Sequence, residues 1–210
     1  MTNALTILFC LTLIYLAVTT RLQAYVLILV VQGTLVAGVH TLEFFHNFAW
    51  SHAAVAAGVL VVRTFLIPAY IVRIMRDLDM RHGDNTRHYH PGFLIQMLAC
   101  VVGAFIISHR LSQLAPVNVI PLGAAIAGMA AGGLLIVRRR LLLAHVVGFL
   151  IIENGLFLLG LGVRAEMPWI IEMAGFLDLF VLVFLMGIAM NHLKTHFPEG
   201  GSDELTRLRE

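Results

Sequence analysis

The chain has 210 residues, 60% of them hydrophobic and 12% charged, with a mean hydropathy of +0.90 and a formal net charge of +2. Soluble domains are about half apolar and about a quarter charged, so this composition excludes an ordinary soluble globule and predicts an all-α, polytopic membrane helix bundle. The small positive excess falls in polar loops and leaves no basic footprint for nucleic acid.

Crossing about 30 Å of hydrocarbon takes roughly 20 apolar residues in a helix. Seven runs approach that length: Asn3–Thr19, Ala24–Thr41, Trp50–Val72, Gly92–Ser108, Val117–Val137, Leu141–Gly162 and Trp169–Met190. The first has no Lys or Arg before it and is followed by Arg21. That charge order is wrong for a cleaved export signal, so the run is read as a retained helix with its N-terminus outside. The second ends in "HTLEFFH", where His40, Glu43 and His46 stand at i, i+3 and i+6. Zinc-binding helical histidines lie four apart, so these are read as interfacial polar residues and no metal site is expected.

The third run carries Arg63, ten residues before Arg73 and so about 15 Å in from that edge. Pro68, five residues on, removes a helix hydrogen bond and allows a kink. The loop that follows, "RIMRDLDMRHGDNTRHYHPG", is the longest, and it is too short for a soluble domain. After the fourth run a seam, "HRLSQLAPVNVIP", separates four helices from three. It divides the chain into an N-terminal membrane part (1–115), a second membrane part (116–197) and a charged tail (198–210).

The fifth run, "PLGAAIAGMAAGGLLIV", holds Gly128 and Gly132 at a spacing that lets helix backbones approach closely; packing within the chain is favoured over a dimer interface. The sixth contains "GFLIIENGLFLLG", with Glu153 and Asn154 side by side and His145 two turns earlier. The seventh contains Asp178. Trp50 and Trp169 each open a span on the outer side, where aromatic residues anchor at the interface. Cys10 and Cys100 fall inside separate runs and are read as packing residues.

Seven spans put alternate loops on opposite sides. Arg21, Arg73, Arg76, Arg81, Arg87, Arg138, Arg139, Arg140, Lys194, Arg207 and Arg209 then share the side of the C-terminus, against Arg110 and Arg164 on the other. This bias predicts a cytoplasmic C-terminus and a cell inner membrane location.

Glu153 lies 13 residues past Arg140, about 20 Å from the cytoplasmic edge, and Asp178 nine residues past Trp169, about 14 Å from the outer edge. With Arg63 they converge near the midplane. A charge there costs about 2.5–3.5 kcal/mol on insertion scales, which implies a position facing the bundle interior and a task or a partner. Removing a carboxyl from water disfavours its charged form, so such a group can take up and release a proton; a nearby Arg63 opposes that. His145 either extends a proton path towards the cytoplasm or sits as a polar residue near the headgroups. Asn154 is expected to hydrogen-bond across helices. No phosphate loop, nucleophile elbow or cofactor motif occurs, so no catalysis by this chain alone and no cofactor are expected.

Three stretches, "RRRLLLAHVVGFLIIENGLFLLGLG", "GFLDLFVLVFLMGIAM" and "SDELTRLRE", together with "VRTFLIPAYI", resemble the component E membrane subunit of hydrogenase-4 type complexes. The last three runs are also similar to the three-helix K subunit of respiratory complex I and of multisubunit cation antiporters. Asp178 matches a K-type carboxylate position; the other such position falls on Leu150, with the acid one turn later as Glu153.

The resemblance implies a noncatalytic membrane subunit of a complex I-related assembly, a group 4 nickel-iron hydrogenase or one joined to formate dehydrogenase. Its partners would be antiporter-like membrane subunits and peripheral hydrogenase or dehydrogenase subunits, and Glu153, Asp178, Arg63 and His145 would belong to a proton pathway. Two other readings stand beside it: an anchor whose buried charges only hold subunits together, and a stand-alone ion carrier.

Overall fold

The computed structural model describes residues 2–19, 22–44, 69, 71–73, 91–139, 142–163 and 187, with the side chains of all but 22, 40–44, 142 and 143. Among these residues the chain is all-helical, without a strand: α1 (Thr2–Val18), α2 (Leu22–Phe44), α3 (Pro91–Ser112), α4 (Val119–Arg138) and α5 (Leu142–Gly162). The predicted runs that begin at Asn3, Ala24, Gly92, Val117 and Leu141 coincide with these helices. Of the third and seventh runs only residues 69, 71, 72 and 187 are described; Arg63, Pro68 and Asp178 lie outside the described residues.

Among the described residues three helical segments are long and apolar enough to cross a membrane: Pro91–Ser112, Val119–Arg138 and Ala144–Gly162. The protein is a membrane protein. Helices suit that medium because each one satisfies its own backbone hydrogen bonds, which hydrocarbon cannot do. Even isolated hydroxyls are absorbed locally. Thr6 Oγ1 donates to Thr2 O at 2.9 Å, and Thr34 Oγ1 to Val30 O at 2.8 Å, both one turn back along their own helix.

The pairs α1–α2, α3–α4 and α4–α5 pack antiparallel. Leu5 and Thr12 of α1 meet Gly38 and Gln32 of α2. Phe105 and Gln96 of α3 meet Gly123 and Arg138 of α4. A core cluster of buried apolar side chains, including Phe9, Tyr25, Met97, Leu135 and Ile151, draws on each of the five described helices. The opposite faces of α1 and α3 expose Ile7, Leu11, Tyr15, Ile95, Val102 and Ile106, which hydrocarbon solvates without penalty.

The tightest packing is between α4 and α5, along Gly148, Gly155 and Gly162. At about 100° per residue a seven-residue step returns to nearly the same helix face, so the three glycines form one seam. A methyl built on Gly155 would sit 2.8 Å from Ala125 O and 3.0 Å from Met129 N; one on Gly162 would sit 2.7 Å from Leu122 Cα. Gly132 faces the carbonyl oxygen of Gly148, and Gly128 faces Gly155, 3.3 Å from its Cα measured from an added Cβ. These backbones touch with no room for a side chain between them.

The turn between α3 and α4 is fastened to the far end of α5. Asn118 donates its backbone N–H to Gly162 O at 2.7 Å and its side-chain Nδ2 to Leu161 O at 3.3 Å. Two of the carbonyls that a helix C-terminus leaves open are thereby satisfied. Pro121 stands in the first turn of α4, where its missing N–H removes no helical bond.

Candidate functional site

A layer of polar side chains, buried at Gln32 and Asn154 and half-buried at Thr12, crosses three helices near their middles. Asn154 Nδ2 on α5 donates to Gln32 Oε1 on α2 at 3.4 Å; Gln32 Nε2 donates to Thr12 Oγ1 on α1 at 2.8 Å; Thr12 Oγ1 donates to Phe9 O at 2.6 Å. Gln32 is 0% exposed and Asn154 6%. Each lies ten to twelve residues into its helix, or about 15–18 Å from the end. The donors run one way, from α5 to α1, and the ladder ends on a backbone carbonyl that can only accept.

Glu153 is 1% exposed. Helical geometry places it about 160° around α5 from Gly155, on the side away from α4 and one position from Asn154. The acid is enclosed within the protein. His145 is half-buried on the same helix, eight residues earlier and so about 12 Å nearer the start of α5. The structure thus brings Glu153 and Asn154 to one level, with His145 offset along the axis. Arg63 and Asp178, the groups expected to meet Glu153 at the midplane, lie outside the described residues, as does Pro68. Gly128 and Gly132 face α5, in the seam described above. Among the described residues no group of three or more His, Cys, Asp or Glu could hold a metal ion.

Sequence reasoning singled out neither Gln32 nor Thr12. The available signal was a primary amide eight residues past the start of the Ala24–Thr41 run, where polar side chains join helices rather than face lipid. Chemically, the amides and the hydroxyl form a fixed scaffold. Glu153 and His145 are the described groups at this site that can carry a proton.

No family model matches the chain, and no solved structure matches it. The chain is similar to an uncharacterized protein, Rv0085, of Mycobacterium tuberculosis strain H37Rv. The two are 25% identical over 194 residues, covering 90% of this chain and 87% of that protein.

Proposed function

We propose that the chain is a noncatalytic, multi-pass subunit of the cell inner membrane, within a complex I-related assembly of the group 4 nickel-iron hydrogenase or formate hydrogenlyase type. It has seven spans, an outer N-terminus and a cytoplasmic C-terminus, a topology supported by the sidedness of the arginines. Glu153, Asp178, Arg63 and His145 contribute to a midplane proton pathway that continues into antiporter-like neighbours and couples redox chemistry, performed by other subunits, to ion translocation.

The observation that carries this reading is the burial of Glu153 halfway along a helix long and apolar enough to cross a membrane. An intramembrane carboxyl enclosed by protein is by default a functional group, because its insertion is expensive and an amide or an aliphatic residue would pack there more cheaply. The resemblance of the sequence around Glu153 and Asp178 to K-type subunits supplies the assembly.

Two measurements test the reading. Affinity purification of the C-terminally tagged chain from native membranes in mild detergent should bring antiporter-like and hydrogenase or dehydrogenase subunits with it. In the purified complex, Glu153→Gln and Asp178→Asn should lower proton translocation while leaving assembly intact. Normal pumping by both variants rejects the pathway, and a chain that purifies alone rejects the assembly.

A second reading, favoured by the Thr12–Gln32–Asn154 hydrogen bonds, is that the buried polar layer only holds the membrane part together. It expects the same carboxyl variants to lose the complex from native gels.

A further inference from the structure

Along the outward face of α3 runs an open groove of about 620 Å³, lined among the described residues by Val102, Phe105, Ile106, His109, Arg110 and Gln113, with Val101 beside them. Its two ends differ in chemistry. The stretch from Val101 to Ile106 is aliphatic and aromatic, with Val102 and Ile106 more than half exposed. The other end is exposed and polar, two turns further on, where α3 stops at Ser112.

Twelve residues separate Val101 from Gln113, about 18 Å of helix. That is close to the depth of one leaflet, half of the roughly 30 Å hydrocarbon core. The exposed guanidinium of Arg110 makes no hydrogen bond or ion pair among the described residues, and His109 is exposed beside it. A cation placed where the apolar wall meets the interface is complementary to a phosphate carried on an acyl chain. The wall itself is bulky and branched. Helix partners in membranes prefer small residues that allow close approach, and the α4/α5 seam shows that preference within this same chain.

We infer that this groove is a binding site for one anionic phospholipid, its phosphate at Arg110 and His109 and an acyl chain along Val102, Phe105 and Ile106. The site is separate from the Glu153 layer and stands whether or not that layer moves protons.

The test uses the full chain, purified in mild detergent and exposed to vesicles of phosphatidylglycerol or of phosphatidylcholine, with retained lipid counted by native mass spectrometry. One phosphatidylglycerol per chain should be retained in preference to phosphatidylcholine. Arg110→Gln should lower its retention about fivefold, the effect of one interfacial cation. Arg110→Lys should keep most of it, and Val102→Trp, which fills the groove, should lower retention of both lipids. All of these residues are exposed, so an unchanged melting temperature confirms that each variant is folded. Equal retention of the two lipids, or full retention by Arg110→Gln, overturns the inference. So does a photo-crosslinker at Ile106 that captures a protein in native membranes in place of lipid.

Discussion

Gln32 and Asn154 are 122 residues apart in the chain and meet through an amide-to-amide hydrogen bond of 3.4 Å that joins α2 to α5. The bond is coupled to a second one, from Gln32 to Thr12, so one glutamine holds both the N-terminal hairpin and the helix that bears Glu153. Replacing either amide by leucine should destabilise the protein. The double variant Gln32→Leu/Asn154→Leu should be less damaging than the two single effects added, by about 0.6 kcal/mol and at most about 1.7. Unfolding in mixed detergent micelles, followed by circular dichroism across the four proteins of the cycle, measures the coupling; strict additivity would remove the bond from the account.

The glycine seam makes a position-specific prediction. A methyl at Gly148 would lie 2.6 Å from Ile136 Cγ1 and 2.8 Å from Gly132 O, whereas one at Gly133 meets nothing within 4 Å. Gly148→Ala and Gly132→Ala should therefore each cost about 1–3 kcal/mol through overpacking. Gly133→Ala, next in sequence to Gly132, should be neutral or slightly stabilising. Melting temperatures of the three variants in one detergent settle the contrast.

Asn118 is expected to be sensitive to the chemistry of its side chain. Asn118→Ala removes the donor to Leu161 O and should lower stability by about 0.5–1.5 kcal/mol. Asn118→Asp puts a carboxylate next to that same carbonyl, acceptor against acceptor, and should be worse than alanine at neutral pH. Limited proteolysis of the α3–α4 turn gives a local readout, with faster cleavage expected in the order wild type, alanine, aspartate.

At the opposite end of the helices, Arg139 lies over the Phe93 ring, its guanidinium carbon 5.3 Å from the centroid, and Arg138 Nε donates to Gln96 Oε1 at 2.8 Å. Both contacts tie the last turn of α4 to the start of α3. Phe93→Leu keeps the apolar burial but loses the ring face, and should cost about 0.5–1 kcal/mol. Hydrogen exchange should then rise at the first turn of α3 and remain unchanged at Asn154.

Much of this architecture was readable from the chain. An apolar run of some 20 residues with no Lys or Arg and at most one acid has few alternatives to a membrane helix, which is why Gly92–Ser108 and Leu141–Gly162 fall on α3 and α5 with shifts of a few residues at most. Helix ends moved where local polar residues were ambiguous: His109 and Arg110 looked like loop but form the last turn of α3, where cations complement the helix dipole. The burial of Glu153 followed from its depth.

The ladder did not follow, because hydrogen-bond partners 20 and 122 residues apart are set by how helices assemble, and no local pattern encodes that. Gly148, Gly155 and Gly162 are a different case. Their seven-residue spacing is visible in the sequence, and attention to Gly128 and Gly132 alone described one side of a two-sided contact.

A helix indexed by a glycine at every seventh position can tolerate many changes of identity on its other faces, but not a change of length. One residue inserted between Gly148 and Gly155 would turn every later position by about 100°, carrying Gly155 and Gly162 out of the contact and bringing bulkier neighbours against Ala125 and Leu122. The same slip would swing Asn154 away from Gln32. Through this stretch of α5, a one-residue insertion should therefore do more damage than any single substitution, because it displaces the glycine seam and the Asn154–Gln32 bond together.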